Sequence, residues 1–331
     1  MGRARRMRAI VHAGARLHLG FLDLNGACGR RYGSIGVTLE QPRCTVEAEP
    51  APAGTAVALA EPVRTILERI GPDLGTETIA VRVVETIPPH AGFGAGTQLA
   101  LAVALAASRA AGHPLPIREL ARRLGRGQRS GIGVAAFEHG GLVIDAGHPV
   151  HRDGHATAGG TDRTEPPPVI FQHRLPDEWH FVLATPRAGP GLSGPTEQRA
   201  FRDLPPMDAE RVGRICRLTL MQVAPAVLTG DIRSFGAAIT EIQEALGEYF
   251  APHQGGRFAS QTGCEVTELA RARGAHGVGQ SSWGPTVFAL VGSEAGARDL
   301  ADVFRGAFGD RLAWVDVSRA RNEGASCREV P

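Results

Sequence analysis

Apolar positions along this chain change period repeatedly, and the changes mark out its elements. Ala15–Asn25 (A-R-L-H-L-G-F-L-D-L-N) alternates every second residue, as a half-buried strand does, and Met7–His12, Gly33–Glu40 and Cys44–Glu49 read as further strands. A helix is predicted over Pro62–Ile70 and a strand over Ile79–Thr86. Then comes a stretch with almost no polar interruption, L-A-L-A-V-A-L-A-A-S-R-A-A. It predicts a buried helix that opens at Thr97 and Gln98 and stops at Gly112. A short helix near Ile117–Leu124 precedes R-G-Q-R-S-G-I-G-V-A-A-F-E-H-G-G-L-V-I-D, a second glycine-rich turn that runs into a helix and a strand. Residues 146–168 are rich in Gly, Pro, His and Asp and end in Pro166-Pro167-Pro168, the composition of an exposed connection and a domain boundary.

Beyond that connection the pattern predicts strands at Val169–His173 and His180–Ala184, a loop G-P-G-L-S-G, and helices near Asp208–Leu228, Ile232–Tyr249 and Cys264–Arg273. A third glycine-rich segment, G-V-G-Q-S-S-W-G-P-T-V-F-A-L-V, precedes a helix at Glu294–Phe308 and a strand at Ala313–Val317. Alternating helices and strands of this sort suit a layered α+β fold, and no internal repeat is visible.

The chemistry suggested by this pattern lies between the strand at Ile79 and the apolar helix, in I-P-P-H-A-G-F-G-A-G-T-Q. Gly92, Gly94 and Gly96 alternate there, exposing backbone amides at the positive end of a helix dipole, which favours an anion such as phosphate. Glycine also serves ordinary tight turns, so this loop alone does not decide the matter.

Composition sharpens the picture at a few points. The chain has 331 residues, 43% hydrophobic and 21% charged, which fits two domains or one large one. A net charge of +2 gives no case for a nucleic-acid partner, and no segment approaches the ~20 apolar residues that span a bilayer. All 36 cationic side chains are arginine, an excess that codon bias explains. Its chemical consequence is firm: no lysine is present to hold a phosphate, form a Schiff base or act as a base. Five scattered cysteines without a C-x-x-C spacing fit reduced thiols in the cytoplasm, and the basic N-terminus has too short an apolar stretch for a secretory signal. His148, His151, Asp153 and His155 form a cluster of possible zinc ligands, but Pro149 and Gly154 break any helix that would align them, which favours a plain loop.

Three glycine-rich elements in this order resemble the GHMP kinase superfamily. Within it, the chain is similar to the β-ribofuranosylaminobenzene 5′-phosphate synthase family. The segments that carry the resemblance are Arg16–Gly26, Ile87–Val103, Arg129–Gly141 and Gly277–Pro285, so it spans nearly the whole chain. The fold it implies is α+β with two domains: an N-terminal mixed α/β domain over 1–165 and a ferredoxin-like sandwich over 166–331. The chain departs from the kinases at telling places. The two serines that kinases carry after the second loop glycine are here Ala95 and Gly96, and the position of their aspartate base matches Gly133.

The resemblance implies a decarboxylating transfer on the route to methanopterin-type cofactors: phosphoribosyl pyrophosphate is joined to 4-aminobenzoate or 4-hydroxybenzoate, releasing carbon dioxide and pyrophosphate. An ATP-dependent small-molecule kinase is the alternative. The expected phosphate-binding residues are Gly92, Gly94, Gly96, Thr97 and Gln98 on the first turn, Arg129, Ser130 and Gly131 on the second, and Ser281, Ser282 and Gly284 on the third. Arg16 and His18 share one strand face and are the expected contacts to the acceptor carboxylate or a donor phosphate; as plain strand residues they would instead face solvent. Asp23 is the candidate metal contact, with Mg²⁺ carried on the donor's pyrophosphate, and a homodimer is the implied assembly. Ser281 and Ser282 also suit turn caps, and Asp145 suits a residue that starts a loop.

Overall fold

The computed structural model describes residues 7–52, 59–150, 165–189, 191 and 194–330. Two long strands organise it, β1 (Arg8–Asp23) and β2 (Arg30–Pro50), paired antiparallel over most of their length. The pattern predicts four short strands here. They are joined because the ladder shifts register between Gly14 and Arg16 instead of ending, a bulge that bends the pair without breaking it. Next come α1 (Val63–Ile70), β3 (Ile79–Glu85), α2 (Ala95–Ala110), α3 (Ile117–Arg123), α4 (Ile132–His139), β4 (Leu142–Asp145), and the two-residue β5 (His148–Pro149). The strand β6 (Val169–His173) follows the triple proline.

The remaining elements are β7 (His180–Pro186), α5 (Gly194–Asp203), α6 (Ala209–Leu218) and α7 (Ala224–Thr229), then α8 (Ile232–Gln254) and α9 (Gln261–Ala272). They are followed by β8 (Gly277–Gln280), β9 (Val287–Val291), α10 (Glu294–Phe308), β10 (Leu312–Arg319) and β11 (Ser326–Val330). A π-helical turn at Thr219–Val223 joins α6 to α7, so the single helix expected over Asp208–Leu228 is one rod with a local widening. The pattern gives no hint of α5 or β11.

The strands form two sheets. One has the order β11-β1-β2-β4-β6, with β3 and β5 also paired to β2; the other has the order β10-β7-β9-β8. The first sheet crosses the expected 165/166 boundary, because β6 and β11 both come from beyond it. β6 pairs with β4, and β11 with β1. The helix α2 is buried on nearly every side, which explains its almost unbroken Ala, Leu and Val composition: small side chains let it lie close against β1 and β2. A separate core of Val182, Val266, Phe304 and neighbours holds α9 and α10 on the second sheet. His151, Asp153 and His155 lie outside the described residues. His148 is buried and bonds the Gly127 carbonyl at 2.8 Å.

Candidate active site

The glycine loop between β3 and α2 is held by strand β1 and by the turn after β8. Gly92 and Gly94 both have left-handed backbone, φ +87° and +73°. A β-carbon on Gly92 would come within 2.4 Å of the Ser281 carbonyl oxygen, and one on Gly94 would press on the Arg16 stem at 3.0 Å. No other residue fits either place. The Gly92 carbonyl accepts from Arg16 Nη1 at 2.5 Å and from Ser281 Oγ at 2.7 Å, while the Arg16 amide donates to the Phe93 carbonyl at 3.0 Å. Ser281 Oγ also accepts from the His18 amide at 3.0 Å, and the Ser282 amide donates to the His18 carbonyl at 3.2 Å.

The start of α2 faces this junction. The Thr97 and Gln98 amides both donate to the Gly94 carbonyl, at 3.0 and 3.2 Å. The amides of Ala95 and Gly96 are therefore the donors that the helix start leaves over for an anion.

Arg16 and Arg126 approach this loop, and a third arginine, Arg129, stands on the turn before α4. Burial draws Arg16 down to about 10, partly countered by Glu197, so it stays charged at neutral pH. Arg126 is lowered by burial and by the charge of Arg69; its Nε is buried without a partner. Its Nη1 lies 4.0 Å from where a β-carbon on Gly96 would sit. Arg129 pairs with Glu197 at 3.3 Å and lies over the Phe201 ring at 4.8 Å, yet its Nη1 is also buried and unbonded. Buried guanidinium N–H groups are normally satisfied, so these orphans mark places where an anionic ligand would complete the site.

Several expected contacts have other duties. The Gly131 amide donates to the buried Asp145 carboxylate at 2.9 Å, and Ser130 Oγ accepts from the Ile132 amide at 3.3 Å, so this turn is closed by its own side chains. Asp145 caps the turn from the end of its strand, which is the loop-starting duty; burial pushes its carboxyl up to about 7 despite two amide donors. Fully buried Ser281 pins β1 to the loop, and the Gly284 amide is spent on the Ser281 carbonyl at 3.0 Å. Gln98 is likewise buried and donates to the Gly133 carbonyl at 2.8 Å, tying α2 to α4. Asp23 Oδ1 accepts from the Asn25 and Gly26 amides, each at 2.8 Å, closing a turn. Among the described residues, no group of three His, Cys, Asp or Glu side chains could hold a metal ion. Arg16 and His18 do not face solvent.

Two family models match the chain: the GHMP kinases N terminal domain over residues 58–141 and the GHMP kinases C terminal domain over 223–310. A beta-ribofuranosylphenol 5′-phosphate synthase of Methanothermobacter thermautotrophicus is 34% identical over 331 residues, covering 96% of this chain and 97% of the relative. The same enzyme of Archaeoglobus fulgidus is 36% identical over 316 residues, covering 94% and 96%. The chain belongs to this synthase family. It is an enzyme, a pentosyltransferase on the GHMP kinase fold. A homoserine kinase structure from Cytophaga hutchinsonii superposes with a TM-score of 0.68 at 16% identity, covering 99% of each chain, which shows the shared fold alone.

Family membership makes Gly133 informative. A β-carbon there would lie 3.1 Å from Thr97 Cγ2 and 3.3 Å from its Cβ, so Thr97 fills the space a side chain at this position would need. Ala95 and Gly96 bring no hydroxyl to the start of α2. The first loop was legible from the sequence. Arg126, Glu197 and Phe201 were not, although Arg126 stands three residues before Arg129 in the same turn and, without lysine, each such arginine carries the same signal.

Proposed function

We propose that this enzyme joins phosphoribosyl pyrophosphate to 4-hydroxybenzoate, with release of carbon dioxide and pyrophosphate. The relatives' name specifies a ribofuranosylphenol 5′-phosphate, and a phenol results when the acceptor is the hydroxy acid. The observation that carries the reading is the orphaned Arg126, whose Nη1 lies 4.0 Å from where a β-carbon on Gly96 would sit at the start of α2, together with the orphaned Arg129 on the turn before α4. The donor's phosphates are held there, and Arg16 orients the loop from below. The anomeric carbon loses pyrophosphate and gains oxocarbenium character. The ring carbon bearing the carboxylate forms the new C–C bond, and loss of carbon dioxide restores aromaticity. The protein's work is charge stabilisation and alignment, which amides and guanidinium groups perform without a lysine.

Mg²⁺ enters this reading as the counter-ion of the donor's pyrophosphate, since the described residues do not form a metal cage. We place the enzyme in the cytoplasm, in keeping with its unpaired cysteines; among the described residues no helix is long and apolar enough to cross a membrane. A homodimer is the proposed assembly, to be checked by light scattering.

The experiment is incubation of the purified chain with phosphoribosyl pyrophosphate, Mg²⁺ and either 4-hydroxybenzoate or 4-aminobenzoate, with pyrophosphate and carbon dioxide measured. Equimolar release of both, faster with the hydroxy acid, is the expected result. Donor binding without either product would overturn the reading, and ATP consumption with a hydroxylated acceptor would favour the kinase alternative.

A further inference from the structure

Between β1, α8 and the turn after β8 lies a narrow cleft, partly open to solvent. Phe21, Phe250, Phe258 and Trp283 supply its aromatic walls. The rings of Phe250 and Trp283 are 4.5 Å apart, and Phe201 meets Phe21 and Trp283 edge-on at 5.6 Å each. Most polar groups lining the cleft are already satisfied. Gln243 donates to the Leu19 carbonyl and accepts from the Gln280 amide, while the Gln280 side chain bonds the Ala259 amide, Gln254 and the Ser282 carbonyl. His18 is the exception. It is 3% exposed, it lies 4.6 Å from the Phe21 ring, and its Nε2 has no partner.

We propose that this cleft seats the ring of the aromatic acceptor and that His18 Nε2 accepts the hydrogen bond of the acceptor's phenolic hydroxyl. The inference rests on the function proposed above and names the residue that reads the acceptor. Planar aromatic walls suit a flat ring by edge and offset contacts. Arg16 and His18 are two residues apart on one strand face, about 6.6 Å along it. Ser281 joins this strand to the loop, accepting from the His18 amide and donating to the Gly92 carbonyl, so the cleft adjoins the loop that holds the donor. Burial, reinforced by Arg16, draws the His18 imidazole down to about 3 and keeps it neutral, so that a lone pair is available.

The step balances. As the carboxylate-bearing carbon bonds to the anomeric carbon, the C–O bond to pyrophosphate breaks and its electron pair leaves with pyrophosphate. The ring turns cationic and its hydroxyl strongly acidic, so that even a weakly basic imidazole takes the proton. Breaking the C–CO₂ bond returns an electron pair to the ring, and the proton returns to the oxygen.

The test compares 4-hydroxybenzoate with 4-fluorobenzoate by calorimetry in the presence of pyrophosphate, in the wild type and in His18→Phe and His18→Gln. In the wild type the hydroxyl should strengthen binding 10- to 100-fold. In His18→Phe that discrimination should vanish and kcat should fall at least 100-fold, while the KM for phosphoribosyl pyrophosphate stays within threefold. The preserved donor KM shows that the variant is folded. His18→Gln, which keeps an acceptor oxygen, should recover part of the discrimination. A wild type that binds both acids equally, or a His18→Phe that still prefers the hydroxy acid, would overturn the inference. An active wild type with unchanged discrimination in the variants would sink this assignment alone, whereas an inactive wild type would sink the proposed function.

Discussion

Arg126 offers a test in which two measurements must move in opposite directions. Its side chain makes no hydrogen bond or ion pair with any described residue, its Nε is buried, and Arg69 repels it. An unsatisfied buried polar group costs about 1–3 kcal/mol, so Arg126→Met, which keeps most of the apolar stem, should leave the free enzyme unchanged or stabilise it by up to about 2 kcal/mol. The donor complex should respond in the other sense. A hydrogen bond to a charged group contributes about 1.5–3 kcal/mol, which corresponds to roughly 10- to 150-fold in affinity. Urea unfolding of the free chain would give the first quantity, and calorimetric titration with phosphoribosyl pyrophosphate and Mg²⁺ the second. An arginine that merely supports the fold behaves in the opposite way. Loss of more than about 1 kcal/mol of stability with unchanged donor affinity would therefore refute the idea that Arg126 is held ready for an anion.

Three other outcomes are expected. Gly92→Ala forces a side chain into left-handed backbone and onto the Ser281 carbonyl; it should destabilise the chain by about 2–4 kcal/mol in denaturant melts. Glu197→Gln releases Arg129 from its 3.3 Å ion pair, and donor affinity measured by calorimetry should rise severalfold. Asp145 has its folded-state pKa raised to about 7 from 3.8. Between those values the folded chain keeps a proton that the unfolded chain has released, so its contribution falls as pH rises through that window and is flat above it. Stability of the wild type relative to Asp145→Asn should drop by about 1 kcal/mol per pH unit from pH 5 to 7, and a flat difference would contradict the burial argument.

The amino-acid sequence by itself determined the local structure and one half of the site. Period-two alternation in Ala15–Asn25 and the apolar run after Gln98 became β1 and α2; the alternation suggests a half-buried strand, but Leu17–Phe21 are buried on both faces, which only the packing of the rest of the chain decides. The loop glycines were legible because left-handed backbone and close approach are demands that only glycine meets. The absence of lysine by itself excludes a phosphate-holding lysine, a Schiff base and a lysine general base.

What tertiary structure alone decided is which polar groups are already spent. Ser281, Gln98, Gly131 and Asp23 suit a phosphate or metal site by residue type, yet Ser281 and Gln98 are bonded to distant backbone, the Gly131 amide to the Asp145 carboxylate, and Asp23 to the amides of its own turn. Arg126 looks ordinary in the sequence, and nothing there shows that it and His18 each keep a buried nitrogen without a partner. Satisfaction of a hydrogen bond depends on groups distant along the chain: 76 residues separate Arg16 from Gly92, and 263 separate His18 from Ser281. No periodicity encodes such pairings, because side-chain period reports burial of an element's face and not the partners waiting on the other side.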